Sequence, residues 1–190
     1  ETDRRHIERR MEDIKSELSQ LVKTRSVQRS KREKSGIPVV ALVGYTNSGK
    51  SALMNRLLSV VDKSEKAVTE KDMLFATLDT QQRSVKLDTN HEFILIDTVG
   101  FVSKLPHSLV EAFKATLEEV LYADLLLHVV DASYEENDFH IAVTNKVLGE
   151  IGADVKEKVM VFNKIDLVPD FQAPVTNLEN LFVSAKENIN

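Results

Sequence analysis

One octapeptide has the residue types and spacing of a phosphate-binding loop. It reads Gly44-Tyr45-Thr46-Asn47-Ser48-Gly49-Lys50-Ser51, and it lies between an apolar run, 37–43, and a helix-like segment, 52–58. This is the context that makes a G-x-x-x-x-G-K-[ST] match specific. Backbone N–H groups at a helix N-terminus attract phosphate. Lys50 is predicted to bridge the outer phosphates and Ser51 to ligate Mg²⁺, so the loop indicates a nucleoside triphosphate site.

A second apolar run ends in the motif Asp97-Thr98-Val99-Gly100. A carboxylate at such a strand end faces the ligand in open α/β sheets. Asp97 is therefore predicted to hold Mg²⁺ through a water, and the Gly100 N–H is predicted to meet the γ-phosphate. A plain turn after a strand is the alternative, and the preceding phosphate loop disfavours it.

A third strand end carries Asn163-Lys164-Ile165-Asp166. The Asp166 carboxylate could accept hydrogen bonds from the N1–H and the amine of guanine, a donor pair that adenine lacks. Lys164 would lay its stem on the base, and Asn163 would link this loop to the phosphate loop. Near the C-terminus, Ser184-Ala185-Lys186 forms a turn whose Ala185 N–H could meet guanine O6.

A loop that changes shape with the nucleotide is predicted between the first two motifs. Its residues Phe75-Ala76-Thr77-Leu78-Asp79 are assigned to the nucleotide site. Mg²⁺ needs near-octahedral oxygen ligation, which Thr77 could complete when a γ-phosphate is bound. Thr80 is the second candidate, and a plain connecting loop is the alternative.

Hydrolysis is expected to depend on Lys50, Thr77, Gly100 and Asn47. Many related enzymes orient the attacking water with a glutamine beside the glycine of the second motif, but this chain has Phe101 there, so slow turnover is expected without a partner. Asn47 matches loops that recruit K⁺, a cation that could neutralise developing charge. His107 is expected to cap a helix and His128 to lie in the core, so neither is assigned catalysis.

The elements that position these motifs alternate between short apolar runs and helical segments, which predicts an α/β, doubly wound, mostly parallel six-stranded sheet. Strands are expected over 37–43, 82–88, 91–96, 124–130, 157–162 and 181–184. A tight hairpin at 88–90 would make one edge strand antiparallel. Helices are expected at about 50–60, 108–122 and 136–151, the second with a capping box at Ser108 and Glu111.

Composition indicates one globular domain plus an appendage: 190 residues, of which 42% are hydrophobic and 29% charged. The absence of cysteine excludes disulfides and thiolate metal sites and agrees with a cytoplasmic location. No run is long enough to span a bilayer. A monomer is expected. Because the chain starts at Glu1 and ends at Asn190, soon after the Ser-Ala-Lys motif, it is interpreted as a fragment with a truncated C-terminal helix.

The N-terminal segment, 1–36, is predicted to be a basic helical linker before a nucleotide-binding domain over 37–190. It holds 11 Lys and Arg against 7 Asp and Glu, a balance of +4 in a chain of net charge −5. An apolar seam from Ile7 to Leu21 favours a hairpin or coiled coil that packs on a neighbouring domain. RNA contact through the basic face is a second, compatible interpretation.

Together the motifs GYTNSGKS, LFATLD, DTVGF, NKID and SAK resemble the HflX family of translational GTPases, within the Ras-like class. The resemblance extends to residues 1–5, 105–119 and 123–133. It implies a G domain after a helical linker, with GTP hydrolysis coupled to binding of the large ribosomal subunit and to splitting or rescue of stalled ribosomes. Two departures are Thr80-Gln81-Gln82-Arg83, where the family commonly has Pro-Thr-Thr-Arg, and Ala52, where it often has threonine.

Two alternatives to a ribosome-dependent GTPase remain from the residues alone. One is a nucleotide-sensing binding module with incidental hydrolysis, which Phe101 favours for the isolated chain. The other is an ATP-using enzyme with the same phosphate loop, which Asp166 disfavours.

Overall fold

The computed structural model of the chain describes residues 36–61, 81–87, 91–102, 117, 119–174 and 177–189. Its contacts divide the chain into two units, Glu1–Ile37 and Pro38–Asn190, and every element below belongs to the second unit. Several predictions lie outside the described residues. They are the N-terminal helix, the loop 75–79 with Thr77, its alternative Thr80, the turn 88–90, His107 and the Ser108–Glu111 capping box.

A six-stranded sheet forms the centre of the domain. Its strands are β1 (Val39–Val43), β2 (Gln81–Lys86), β3 (Glu92–Asp97), β4 (Leu125–Asp131), β5 (Glu157–Asn163) and β6 (Glu179–Phe182). Their spatial order is β2-β3-β1-β4-β5-β6. Only β2 runs antiparallel to its neighbour, and all other pairs are parallel. The predicted fold is confirmed, with strand ends shifted by at most two residues.

Helix α1 (Lys50–Val61) packs on one face of the sheet and helix α2 (Asn137–Glu150) on the other. Successive side chains of β1 alternate between those faces. Leu42 packs with Leu53 and Met54 of α1, whereas Ala41 belongs to the core cluster that includes Leu148 of α2. Residues 117 and 119–121 are helical and are the described end of the helix expected at 108–122. In the described part of the chain, no helix has the length and apolar character of a membrane span.

The site is determined by where the central strands end. β1 lies between β3 and β4, with Leu42 beside Asp97 and Val43 beside His128. On the next pair, Asp131 lies opposite Asn163. The carboxyl ends of these parallel strands therefore meet at one edge, where ligands bind open α/β sheets.

Candidate nucleotide-binding site

The phosphate loop joins β1 to α1 through a backbone that only particular residues adopt. Gly44 and Gly49 have φ of 148° and 90°, and Asn47 has a left-handed φ of 59°. A Cβ on Gly44 would collide with the Val129 carbonyl, and a Cβ on Gly49 would collide with the Asn163 side chain. Asparagine is one of the few residue types other than glycine that adopt this left-handed backbone. The two motif glycines are thus required by both backbone angle and space.

Backbone hydrogen bonds join the phosphate loop to the loop after β3. The Thr46 N–H donates to the Phe101 carbonyl at 2.9 Å, and the Phe101 N–H donates to the Gly44 carbonyl at 3.0 Å. A Cβ on Gly100 would lie 2.7 Å from Thr46 Cα, so only glycine permits this approach. The Phe101 side chain is fully buried in the core, so it supplies no polar group to an attacking water.

The Lys50 ammonium lies inside the loop. Its Nζ donates to the Gly44 carbonyl at 3.2 Å and to the Tyr45 carbonyl at 3.0 Å. Burial lowers the pKa of Lys50 from 10.5 to about 8, and the Asp97 carboxylate opposes that shift. The N–H groups of Gly49 and Lys50 make no hydrogen bond within the described residues. A desolvated cation beside open N–H groups is an arrangement suited to phosphate.

Ser51 and Asp97 meet where Mg²⁺ was predicted. The Ser51 hydroxyl donates a hydrogen bond to Asp97 Oδ2, and Asp97 is completely buried. Thr98 fixes the loop start by donating to the Leu42 carbonyl at 2.6 Å. Hydroxyl and carboxylate oxygens suit Mg²⁺, which usually keeps several waters and shares phosphate oxygens. Across the ranges described, no cluster of three or more His, Cys, Asp or Glu could hold a metal, so phosphate and water would supply the other ligands.

Asn163 connects three loops. Its Nδ2 donates to the Ser48 carbonyl at 3.1 Å, so the expected link to the phosphate loop is present. Its Oδ1 accepts from the Ala185 N–H at 3.1 Å. The Ala185 amide is therefore engaged in this structure, and the expected contact with guanine O6 would require it to exchange partners.

The residues after Asn163 form a short turn with an open carboxylate. Lys164 has a left-handed φ of 65°, and a 3₁₀ helix follows at Ile165–Leu167. Asp166 is half-buried, and its carboxylate accepts no hydrogen bond from any described residue. Both oxygens are thus available to a pair of N–H donors, the pattern that guanine presents.

The Ser184-Ala185-Lys186 turn is closed mainly by the residues that follow it, Glu187 and Ile189. The buried Ser184 hydroxyl accepts from the Glu187 N–H at 3.0 Å. Lys186 is exposed and forms an ion pair with Glu187 at 3.5 Å. In this structure neither side chain is directed by a contact to another motif.

His128 occupies the core as expected, buried in β4. Its Nδ1 has no hydrogen-bond partner among the residues described. Burial lowers its pKa to about 3, with Lys158 and Lys50 adding to the shift. A neutral, inaccessible ring cannot act as a general base for a substrate at the sheet edge.

Two residues that the sequence did not indicate also contact the motifs. Asp131 ends β4 and accepts from Lys164 Nζ at 2.7 Å. His140, in the first turn of α2, stacks on Tyr45 with ring centroids 3.7 Å apart. Asp131 could have been found by the reasoning applied to Asp97, because both are carboxylates at strand ends. A histidine on a helix gave no comparable signal.

The described motifs thus meet at one edge of the sheet: residues 44–51, 97–100, 163–166 and 184–186. Hydrogen bonds link the phosphate loop to the loop after β3 and to Asn163. Asn163 in turn bonds with Ala185 of the last motif. The predicted members at 75–79 are outside the described residues and remain predictions.

Comparisons with known proteins agree with this geometry. The family model described as "50S ribosome-binding GTPase" matches residues 39–164. A GTPase HflX from Caldanaerobacter subterraneus is 50% identical over 189 residues, which is 100% of this chain and 42% of that protein. The GTPase HflX of Escherichia coli is 46% identical over 90% of this chain and 39% of its own length. The chain therefore spans about two fifths of these relatives.

A solved structure shares the fold. The GTP-binding protein from Sulfolobus solfataricus, in complex with GDP, is 26% identical with a TM-score of 0.57, covering 86% of this chain and 52% of that one.

Proposed function

Because the chain belongs to the 50S ribosome-binding GTPases and has the predicted similarity to HflX, we propose that it is the GTPase part of a ribosome-associated protein. It binds and hydrolyses GTP with Mg²⁺, acts as a cytoplasmic monomer, and associates with the large ribosomal subunit to split or rescue stalled ribosomes. In this proposal residues 1–36 are a basic linker and residues 37–190 are the G domain.

The observation that supports guanine nucleotide most strongly is the double hydrogen bond of Asn163. It ties the strand end that precedes Asp166 to the phosphate loop and to the turn at Ala185. A ligand that satisfies both ends needs phosphates at one end and adjacent N–H donors at the other. GDP and GTP have this chemistry.

The residues around the phosphates have separable roles in this proposal. Lys50 would neutralise phosphate oxygens from inside the loop, and the Gly100 N–H would bind the γ-phosphate. Ser51 would hold Mg²⁺ directly, Asp97 through water, and Thr77 when the γ-phosphate is present. When bound, Mg²⁺ withdraws charge from the β- and γ-phosphate oxygens.

A bound K⁺ is part of the same proposal. The Asn47 backbone is fixed by the bond from Lys164 Nζ to its carbonyl, at 3.1 Å, while its side chain makes no hydrogen bond among the described residues. An amide oxygen here could ligate a monovalent cation beside the phosphates, where charge develops. Faster turnover in K⁺ than in Na⁺ is expected at equal ionic strength, and equal rates would remove this part.

The test is multiple-turnover GTP hydrolysis by the full-length protein with large subunits, with small subunits, and alone. Phe101 does not orient the attacking water, so hydrolysis is expected to be slow without a partner. Large subunits should stimulate it strongly, and small subunits should not. A Lys50→Ala variant reports contaminating activity. If no particle stimulates hydrolysis, the ribosome-coupled proposal is wrong.

The second candidate is a sensing module whose signal is nucleotide occupancy. The observation that favours it is Phe101, an apolar and buried side chain at the position where many related enzymes have the water-orienting glutamine. It predicts that ribosome affinity differs between GTP-bound and GDP-bound protein while turnover stays unstimulated. Multiple-turnover hydrolysis with and without large subunits distinguishes the two candidates, because only the first predicts stimulation.

A further inference from the structure

The last residue of β4, the turn after it and the first turn of α2, together residues 131–140, contact the site from outside. We call this segment the β4–α2 corner. Asp131 contacts Lys164 of the loop 163–166, and His140 contacts Tyr45 of the phosphate loop, although neither belongs to a nucleotide motif. We propose that Asp131 and His140 are positioning residues for guanine nucleotide, acting through Lys164 and Tyr45. This inference rests on the proposed function.

The first contact fixes the direction of the Lys164 side chain. Its Nζ is 2.7 Å from Asp131 Oδ2 and 3.1 Å from the Asn47 carbonyl. The Asp131 side chain is only 15% exposed and that of Lys164 28%, so water competes weakly. The other oxygen, Asp131 Oδ1, accepts from the Ser133 N–H at 3.0 Å and from the Ser133 hydroxyl at 2.6 Å. The carboxylate therefore cannot rotate away without losing three hydrogen bonds.

These bonds determine what Lys164 can do. Its charge is paired with Asp131, so it is not a phosphate ligand, and its ammonium bridges two loops. Its left-handed backbone is costly for a residue with a Cβ, and the two ammonium contacts offset that cost. The stem is consequently held at both ends, by the left-handed backbone and by the paired ammonium.

The second contact acts on the phosphate loop. The His140 ring lies between Tyr45, at 3.7 Å and 8°, and Tyr134, at 4.4 Å and 11°. Burial lowers the pKa of His140, opposed by Asp131 and Glu136, so the stacked ring is neutral near pH 7. Tyr45 follows Gly44, and its carbonyl accepts from Lys50. Holding its ring therefore restricts the loop at the point where phosphate would bind.

Both contacts reduce the rearrangement that binding requires, and preorganisation of this kind raises affinity. Substitution should therefore weaken GDP binding without removing any group that touches GDP. An Asp131→Ala variant is expected to lose about 10-fold in affinity. Asp131→Asn keeps an acceptor and should lose less. His140→Ala should lose about 2- to 10-fold, and His140→Phe, which retains a stacked ring, should recover most of it.

The experiment measures dissociation of fluorescently labelled GDP from full-length protein, with the unfolding temperature of nucleotide-free protein as the folding control. Double variants identify the route. Adding Asp131→Ala to Lys164→Ala, or His140→Ala to Tyr45→Ala, should cost no further affinity, within about twofold. A merely structural role would give additive losses. Lys146→Ala, near the opposite end of α2 and 78% exposed, should bind GDP like the wild type.

The outcomes separate the two proposals. If the wild type binds GDP in preference to ADP, but Asp131→Ala and His140→Ala bind it equally tightly, the positioning inference is overturned and the proposed function stands. Additive double variants overturn the inference in the same way. If the wild type shows no preference for GDP, both fail. Should Asp131→Ala not fold, the Asp131→Asn cycle with Lys164→Ala decides.

Discussion

Replacing Asn163 by alanine should disconnect three loops at once. The substitution removes the donor to the Ser48 carbonyl and the acceptor of the Ala185 N–H, both at 3.1 Å. Asn163 and Ser48 are 2% and 1% exposed, so water cannot easily replace the lost partner of that carbonyl. Two net hydrogen bonds at about 1 kcal/mol each, plus part of the burial penalty of the unsatisfied carbonyl, give a loss of about 2–4 kcal/mol in the free energy of unfolding.

The assay is urea unfolding of nucleotide-free protein, with GDP affinity as a second readout. The midpoint should fall while the slope stays constant, and GDP affinity should fall because Asp166 is no longer fixed relative to the phosphates. Asn145→Ala is a matched control. Its exposed side chain accepts from Lys158 at 3.4 Å, so its loss should cost less than about 0.5 kcal/mol. If the two variants were equally stable and bound GDP equally, the role given to Asn163 would be refuted.

Two further predictions use other parts of the domain. Gly100→Ala should weaken GTP binding by at least about 10-fold, because its Cβ would lie 2.7 Å from Thr46 Cα. In Gly149→Ala, by contrast, the new Cβ meets no atom within 4 Å, so this variant should raise the free energy of unfolding by about 0.5–1 kcal/mol. If the two variants had equal effects on GTP binding and on the free energy of unfolding, this reasoning would be contradicted. The pKa of His128 is lowered to about 3, so below pH 6.5 the unfolded chain binds a proton that the folded chain does not. The free energy of unfolding should therefore decrease as the pH is lowered. Between pH 6.5 and 5.5 urea unfolding should show a decrease about 1 kcal/mol larger in the wild type than in His128→Leu. Parallel pH profiles would contradict the buried neutral ring.

The sequence predicted the centre of the sheet because β1, β3, β4 and β5 are apolar runs that each lead into a polar strand end or motif. Asp97 and Asn163 lie at strand ends, as the pattern required, and both face the phosphate loop. Bounds were less well determined. The last strand ends at Phe182 instead of residue 184, because Ser184 bonds with Ile189 to close a turn.

Contacts between distant side chains were the part that the sequence could not supply. The stack of His140 on Tyr45 depends on the angle at which α2 approaches the sheet, which no local pattern encodes. The engagement of the Ala185 amide by Asn163 likewise depends on the register of β6 beside β5. The contact of His140 thus emerges only from tertiary structure, whereas the position of Asp131 at a strand end could have been recognised in the sequence.

The most direct measurement is competition between GDP and ADP for full-length wild-type protein and for Asp166→Asn. A preference for GDP of at least about 1000-fold is expected in the wild type, since adenine would leave the carboxylate unpaired. It should largely disappear in Asp166→Asn and persist in Asp170→Asn, an exposed neighbour. Equal binding of GDP and ADP by the wild type, or an unchanged preference in Asp166→Asn, would contradict a guanine site at this edge of the sheet.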